Sequence, residues 1–153
     1  MTEPYDCTDD IKRHIWRVRK RMQDFARQIV DRSTSHDKTK LEEPEKSMYD
    51  EFTPKLREVI FGSDEYRASL ANMGTALQHH YQENRHHPEH FKNGINGMTL
   101  VDLVEMVSDW MAMAEVKNSS TDLAYLANRF NISEQLVDII ANTIRENDQG
   151  VIR

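Results

Sequence analysis

Apolar residues recur with helical spacing along most of the chain. Ile11, Ile15, Val18, Met22, Phe25 and Ile29 fall at three- and four-residue steps and predict one long helix from Asp10 to about Arg32. Asp9 or Asp10 can cap it, and Ser33, Thr34 and Ser35 break it. Met48, Phe52, Leu56, Val59 and Ile60 mark a helical segment from Glu43 to Phe61. It is expected in two parts, because Thr53-Pro54 has the form of a cap followed by proline at the first helical position. Gly62 suits the residue just past a helix end. Tyr66, Leu70, Met73 and Leu77 predict a third helix from Asp64 to about His87, where Pro88 should stop it.

Gly94 and Gly97 then mark a loop. Thr99 with Asp102 three residues on looks like a capping box for the next helix, L-V-D-L-V-E-M-V-S-D-W-M-A-M-A. That helix is apolar on most sides and should be the central, most buried one. Leu123, Leu126, Ala127 and Phe130 predict a short helix. Ser133 caps a last one, with Leu136, Val137, Ile140 and Ile144 inward. The pattern is that of an all-α, single-domain bundle over residues 1–153, of about five to seven helices. Residues 10–117 or so make its core, and the helices in 118–153 cover it.

Composition narrows the class. A chain of 153 residues can bury a real core, and its net charge of -6 disfavours a general nucleic-acid surface. Cys7 is alone and cannot form an internal disulfide. The opening M-T-E-P-Y-D is polar and unlike a signal peptide, and no apolar run approaches the ~18 residues of a membrane span. A cytoplasmic protein is expected.

The candidate chemistry lies in H-H-Y-Q-E-N-R-H-H-P-E-H-F, residues 79–91. Extending the Tyr66–Leu77 rhythm reaches His80, Asn84 and His87, so an apolar stripe becomes an imidazole-bearing one that still faces inward. Inward imidazoles need partners, and a metal would serve several at once. His79 and His86 each precede a stripe position and should point about 100° away, where they would hydrogen-bond behind the ligands or touch substrate. His90 lies past Pro88 and can reach either metal or substrate.

The other candidates are His14, on the shoulder of the first stripe, the pair His36-Asp37, and the acids Asp102, Glu105 and Asp109 on one side of the apolar helix. Neighbouring residues in a helix diverge by about 100°, so His36 and Asp37 converge only in special local geometry. Asp102 has a slight preference over Asp109 as the acid that closes the site, since it is nearer in sequence to the histidine-rich loop. Glu105 would then orient water. These are nitrogen and oxygen donors without sulfur, which points to one or two divalent ions, Mn, Fe, Mg, Co, Zn or Ni.

The order His, His-Asp, two spaced histidines, Asp resembles the HD-domain superfamily of metal-dependent phosphohydrolases. H-D-K-T-K, His36 to Lys40, is similar to that superfamily's His-Asp-x-Gly-Lys signature, with Thr39 in place of glycine. His14 stands where the first metal histidine would, and His80 and His87 where two-metal members place theirs. His86-His87-Pro-Glu is similar to a His-His-Glu stretch of the cyclic-dinucleotide phosphodiesterases, whose Gly-Tyr-Pro signature is absent here. The whole pattern also resembles small proteins of bacteria and their viruses.

The resemblance implies an HD-like bundle around a central metal site held by His14, His36, Asp37, His80, His87 and Asp102 or Asp109. It implies hydrolysis of a nucleotide or related phosphoester by metal-activated water, with Asp37, Lys40 and Glu105 in the reaction. Lys40, Arg85, His86 and His90 would be at the substrate. The same ligand order also fits the oxygenase branch typified by myo-inositol oxygenase. A small charged fold further permits a non-catalytic module that binds a nucleotide or a protein.

Overall fold

Seven α-helices and three short 3-10 turns account for the periodicity, and there is no strand among the described residues. The computed structural model describes residues 5–60 and 62–150; the sequence assignments at Phe61 and at the extreme termini lie outside them. The helices are α1 (Thr8–Ser35), α2 (Glu45–Arg57), α3 (Asp64–Asn72), α4 (Gly74–Glu83), α5 (Leu100–Val116), α6 (Leu123–Phe130) and α7 (Glu134–Gly150). None is long and apolar enough to cross a membrane among the described residues. The chain divides into two units, residues 1–35 and residues 36–153.

The first unit is α1, with Asp9 and Asp10 in its first turn and Arg32 in its last, the arrangement the helix dipole favours. Its apolar stripe forms as the spacing requires, but none of its residues is buried. Ile15 is 51% exposed and Met22 66%. Within this unit taken by itself there is no other element to cover the stripe.

In the second unit the apolar core lies between α5 and the two C-terminal helices. Met106 and Val107 of α5 meet Ile140 of α7, with Leu103, Trp110, Leu123, Leu136 and Ile144 packed around them. The last helices pack on α5 through these contacts. However, α5, expected to be the most buried helix, is not enclosed: Val101 and Asp102 are buried in its first turn, but Leu100 and Val116, its two end residues, are 70% and 69% exposed. Thr99 caps α5 in a full capping box with Asp102, as the sequence indicates.

Two predicted elements differ. The segment expected in two parts is one helix, α2, which runs through Pro54. A proline fits helical φ and forfeits one backbone bond, a loss the buried Phe52 two residues earlier helps offset. Its last carbonyls are not left bare: Lys117 Nζ donates to the carbonyls of Leu56 (2.5 Å), Arg57 (3.1 Å) and Val59 (3.0 Å). The single helix expected over 64–87 is instead two. Gly74 takes φ +50°, a left-handed turn that a residue without Cβ adopts readily, and it separates α3 from α4. Then α4 stops at Glu83, because Asn84 is extended (φ −110°, ψ 109°). The Asn84 side chain caps that end, with Nδ2 donating to His80 O and to Thr39 Oγ1, both at 2.9 Å.

Candidate metal centre

Three elements of the second unit bring the chemistry together. The first is the turn that follows α1. Ser35 is its last helical residue, and Asp37 sits in the left-handed region (φ 55°, ψ 16°) before a 3-10 turn over Lys38–Leu41. That reversal is the special geometry adjacent residues need to converge, and His36 Nε2 lies 3.4 Å from Asp37 Oδ2. The second is the end of α4 with the non-helical turn after it, which supplies His80, His86 and His87. The third is α5, which supplies Glu105 and Asp109.

Their donor atoms form overlapping groups. Asp37, His80, His86 and His87 make one, and His36, Asp37 and Asp109 another. Asp37 belongs to both through different oxygens. Oδ1 lies 3.4 Å from His80 Nε2 and 3.5 Å from His86 Nε2, while Oδ2 faces His36. His80 Nε2 and His87 Nε2 are 2.9 Å apart, and Asp109 Oδ1 is 3.7 Å from His36 Nε2. Donors about 2.1 Å from a shared cation stand about 3.0–3.4 Å from one another, so most of these separations suit ligands of a common ion. A second observation tests the fit. Asp37 Oδ1 and both ring nitrogens of His86 are buried without a hydrogen bond. Such groups cost about 1–3 kcal/mol each unless something meets them, and an oxygen and an imidazole nitrogen aimed at one point are what a divalent cation meets.

The far nitrogens are held by carboxylates. His36 Nδ1 is 3.0 Å from Glu105 Oε1, and His86 Nδ1 is 3.2 Å from the same oxygen, outside hydrogen-bonding geometry. Glu45, the first residue of α2 and fully buried, receives His79 Nδ1 on one oxygen and His80 Nδ1 on the other, each at 2.8 Å. Thr39 replaces the glycine of the resembled signature and has a use there, as the acceptor for Asn84.

The electrostatics follow from these contacts. Asp109, then Glu105 and Asp37, raise the His36 imidazole to about 10 against the opposing effect of burial. Burial drives His87 down to about 2, helped by His86, His80, Lys40 and Arg129. Burial and Lys40 lower His80, while Asp37 and Glu45 oppose them. Burial pushes the Asp37 carboxyl up, but Lys40, His36 and His80 outweigh it and leave it below the usual range. The Lys40 ammonium is 2.5 Å from Asp37 Oδ2 and lies over the Tyr49 ring. Hence His80 and His87 are neutral near pH 7, the form that binds metal, and His36 carries a proton that a cation would have to displace.

Several sequence assignments change. Asp102, first choice to close the site, is fully buried and engaged elsewhere. It accepts from Thr99 N and Oγ1 and from Arg85 Nε (3.0 Å) and Nη2 (2.9 Å). A carboxylate so occupied by the capping box and a guanidinium is a structural partner, and Asp109 stands by His36 instead. Arg85, expected at the substrate, is the other half of that pair. His86, expected to point away, is in the cluster, because residues 84–87 are not helical and the about 100° rotation does not apply to them. His90 turns its Nδ1 to the carbonyl of Tyr81 at 3.1 Å. His14 lies on α1, in the first unit. Glu45 gave no sequence signal beyond its place at a helix start. Arg129, on α6 and not among the sequence candidates, pairs with Glu89 at 2.9 Å and contributes to the field at His87.

Fold and site together define an all-α protein with a buried mixed histidine–carboxylate cluster. Residues 3–146 match the family of unknown function DUF5662, and the chain belongs to that family. No curated protein and no solved structure matches it.

Proposed function

We propose that the chain is a metal-dependent phosphohydrolase acting on a nucleotide or related phosphoester. The observation that carries the metal part is His86, a buried imidazole with two unmet nitrogens beside the equally unmet Asp37 Oδ1. His80, His86, His87 and Asp37 would hold one divalent ion, and His36, Asp109 and the other Asp37 oxygen a second. An ion so held lowers the pKa of a bound water and polarises a phosphoryl oxygen.

The phosphoester part rests on the resemblance of His36–Lys40 to the HD signature and on Lys40, a cation beside the shared carboxylate that can turn to an incoming phosphate. Glu105 keeps His36 oriented from behind. Such substrates are kept inside cells, so this reading goes with a cytoplasmic location. The test is phosphate release from a panel of nucleotides and a generic phosphodiester by metal-depleted protein to which Mn(II), Co(II) or Zn(II) is restored. Metal-dependent turnover that Asp37→Asn abolishes is expected. Confirmed metal with no turnover across the panel would overturn the reading. Oxygen uptake by iron-loaded protein would redirect it to the oxygenase chemistry of the same ligand order.

A further inference from the structure

We propose that Glu45 is a positioning residue: it accepts a hydrogen bond from the Nδ1–H of His80 and so presents the bare Nε2 of that ring to the cation centre. The inference rests on the metal-binding half of the proposed function and on nothing about the substrate.

An ionised carboxylate accepts hydrogen bonds and cannot donate them. His80 Nδ1 lies 2.8 Å from Glu45 Oε2, so the proton between them belongs to the imidazole. A neutral imidazole has one N–H, which leaves the lone pair on Nε2, the atom 3.4 Å from Asp37 Oδ1 and 2.9 Å from His87 Nε2. Two neighbours offer competing arrangements: the Thr39 hydroxyl, whose 3.5 Å to the same Nδ1 is at the limit of a hydrogen bond and much longer than the 2.8 Å to Glu45, and Asn84, whose Nδ2 is at 3.1 Å. The two Asn84 amide hydrogens are already directed to Thr39 Oγ1 and His80 O at 2.9 Å, so that amide has none to give.

The carboxylate itself is held. Its other oxygen receives His79 Nδ1 at 2.8 Å, and Glu45 has no exposed surface through which water could take over. Burying a carboxylate is costly, and here the return is a fixed tautomer and a fixed ring plane for a ring that is itself only 1% exposed. Glu105 makes the matching contact to His36 Nδ1 from α5. Each of the two groups thus has one imidazole backed by a carboxylate from a different helix.

The test uses the full chain labelled with 15N-histidine. Long-range 1H–15N spectra of the metal-free protein at neutral pH should show His80 protonated at Nδ1 and bare at Nε2. Zn(II) binding, measured by chelator competition, should weaken by about 10–100-fold in Glu45→Ala. Glu45→Gln should lie between, because its amide oxygen can still accept from one ring. His79→Ala should leave the His80 tautomer unchanged, since the two rings use different oxygens. Wild-type His80 protonated at Nε2 would overturn the proposal, as would folded Glu45→Ala that binds Zn(II) as tightly as wild type. Should Glu45→Ala fail to fold, the wild-type spectrum and the Glu45→Gln affinity decide. None of these readouts involves hydrolysis, so an inactive phosphoester panel leaves the role of Glu45 standing or falling on its own data.

Discussion

Replacing Asp102 or Asp109 by alanine removes a carboxylate from the same helix, and the two changes should have opposite consequences. Asp102 closes a capping box and forms a bidentate pair with Arg85. Losing a capping interaction costs about 1 kcal/mol. Hydrogen bonds to charged groups contribute about 1.5–3 kcal/mol, but the Arg85 side chain is 42% exposed and water can recover part of its share. Asp102→Ala should therefore cost the metal-free chain about 2–3 kcal/mol and leave its metal content unchanged. Asp109 has a looser setting: its side chain is 25% exposed and lies 3.7 Å from His36 Nε2. Asp109→Ala should cost the metal-free chain less than Asp102→Ala does, because the pair is long and partly exposed, while lowering uptake at the group it shares with His36 and Asp37. Urea denaturation of metal-free protein gives the first quantity, and elemental analysis after dialysis against Mn(II) gives the second. Asp102→Ala that sheds metal with an unchanged unfolding midpoint would refute the assignment, as would Asp109→Ala with full wild-type content.

Other outcomes follow from the same contacts. In the metal-free chain the folded state keeps a proton on His36 up to about pH 10, so the stability this gives is complete below about 6.5 and is lost as pH rises through 10. His87, lowered to about 2, works the other way: the unfolded chain takes up a proton below about 6.5 that the folded chain refuses, so stability falls as pH drops toward 2. Unfolding free energies between pH 4 and 10 should peak near 6.5, and a minimum there would contradict both shifts. His86→Leu replaces a buried imidazole lacking hydrogen bonds with an apolar side chain of similar size. It should stabilise the metal-free chain by about 1 kcal/mol and abolish metal uptake; calorimetry checks both, and a marked loss of stability would count against the site. Gly62→Ala should cost about 1–2 kcal/mol, since φ is +77° and a Cβ would lie 2.9 Å from Tyr125 Cζ. In a Tyr125→Ala background the clash part should vanish and the backbone part remain, as a double-mutant cycle would show.

The helices were legible because burial repeats with the helical turn. Val107, Ile140 and Leu136 lie in the core their spacing indicates. The break at Gly74 was less legible, because Leu70, Met73 and Leu77 keep the period across it. Met73 remains 1% exposed even though the helix ends there. Misjudging where α4 stops also misplaced His86, since extrapolated periodicity says nothing once the backbone leaves the helix. For Asp102 the capping box was visible and correctly located. What could not be read was Arg85, whose approach depends on the turn that follows α4. Glu45 was invisible for a related reason: its partners His79 and His80 are over thirty positions away and meet it only through the contact of α2 with α4. Local pattern reveals which side chains are inward. It does not reveal which of several inward carboxylates lies against which imidazole.

The left-handed backbone at Asp37 restricts which residues can occupy that position. A φ of 55° is comfortable for glycine, tolerable for asparagine and aspartate, and strained for longer or branched side chains. Glutamate would bring the same charge at the cost of backbone strain, so the backbone there favours Gly, Asn and Asp, and only the last carries the carboxylate. Asparagine is accordingly the clean probe of this residue, because it removes the charge and keeps the turn, whereas alanine changes both at once.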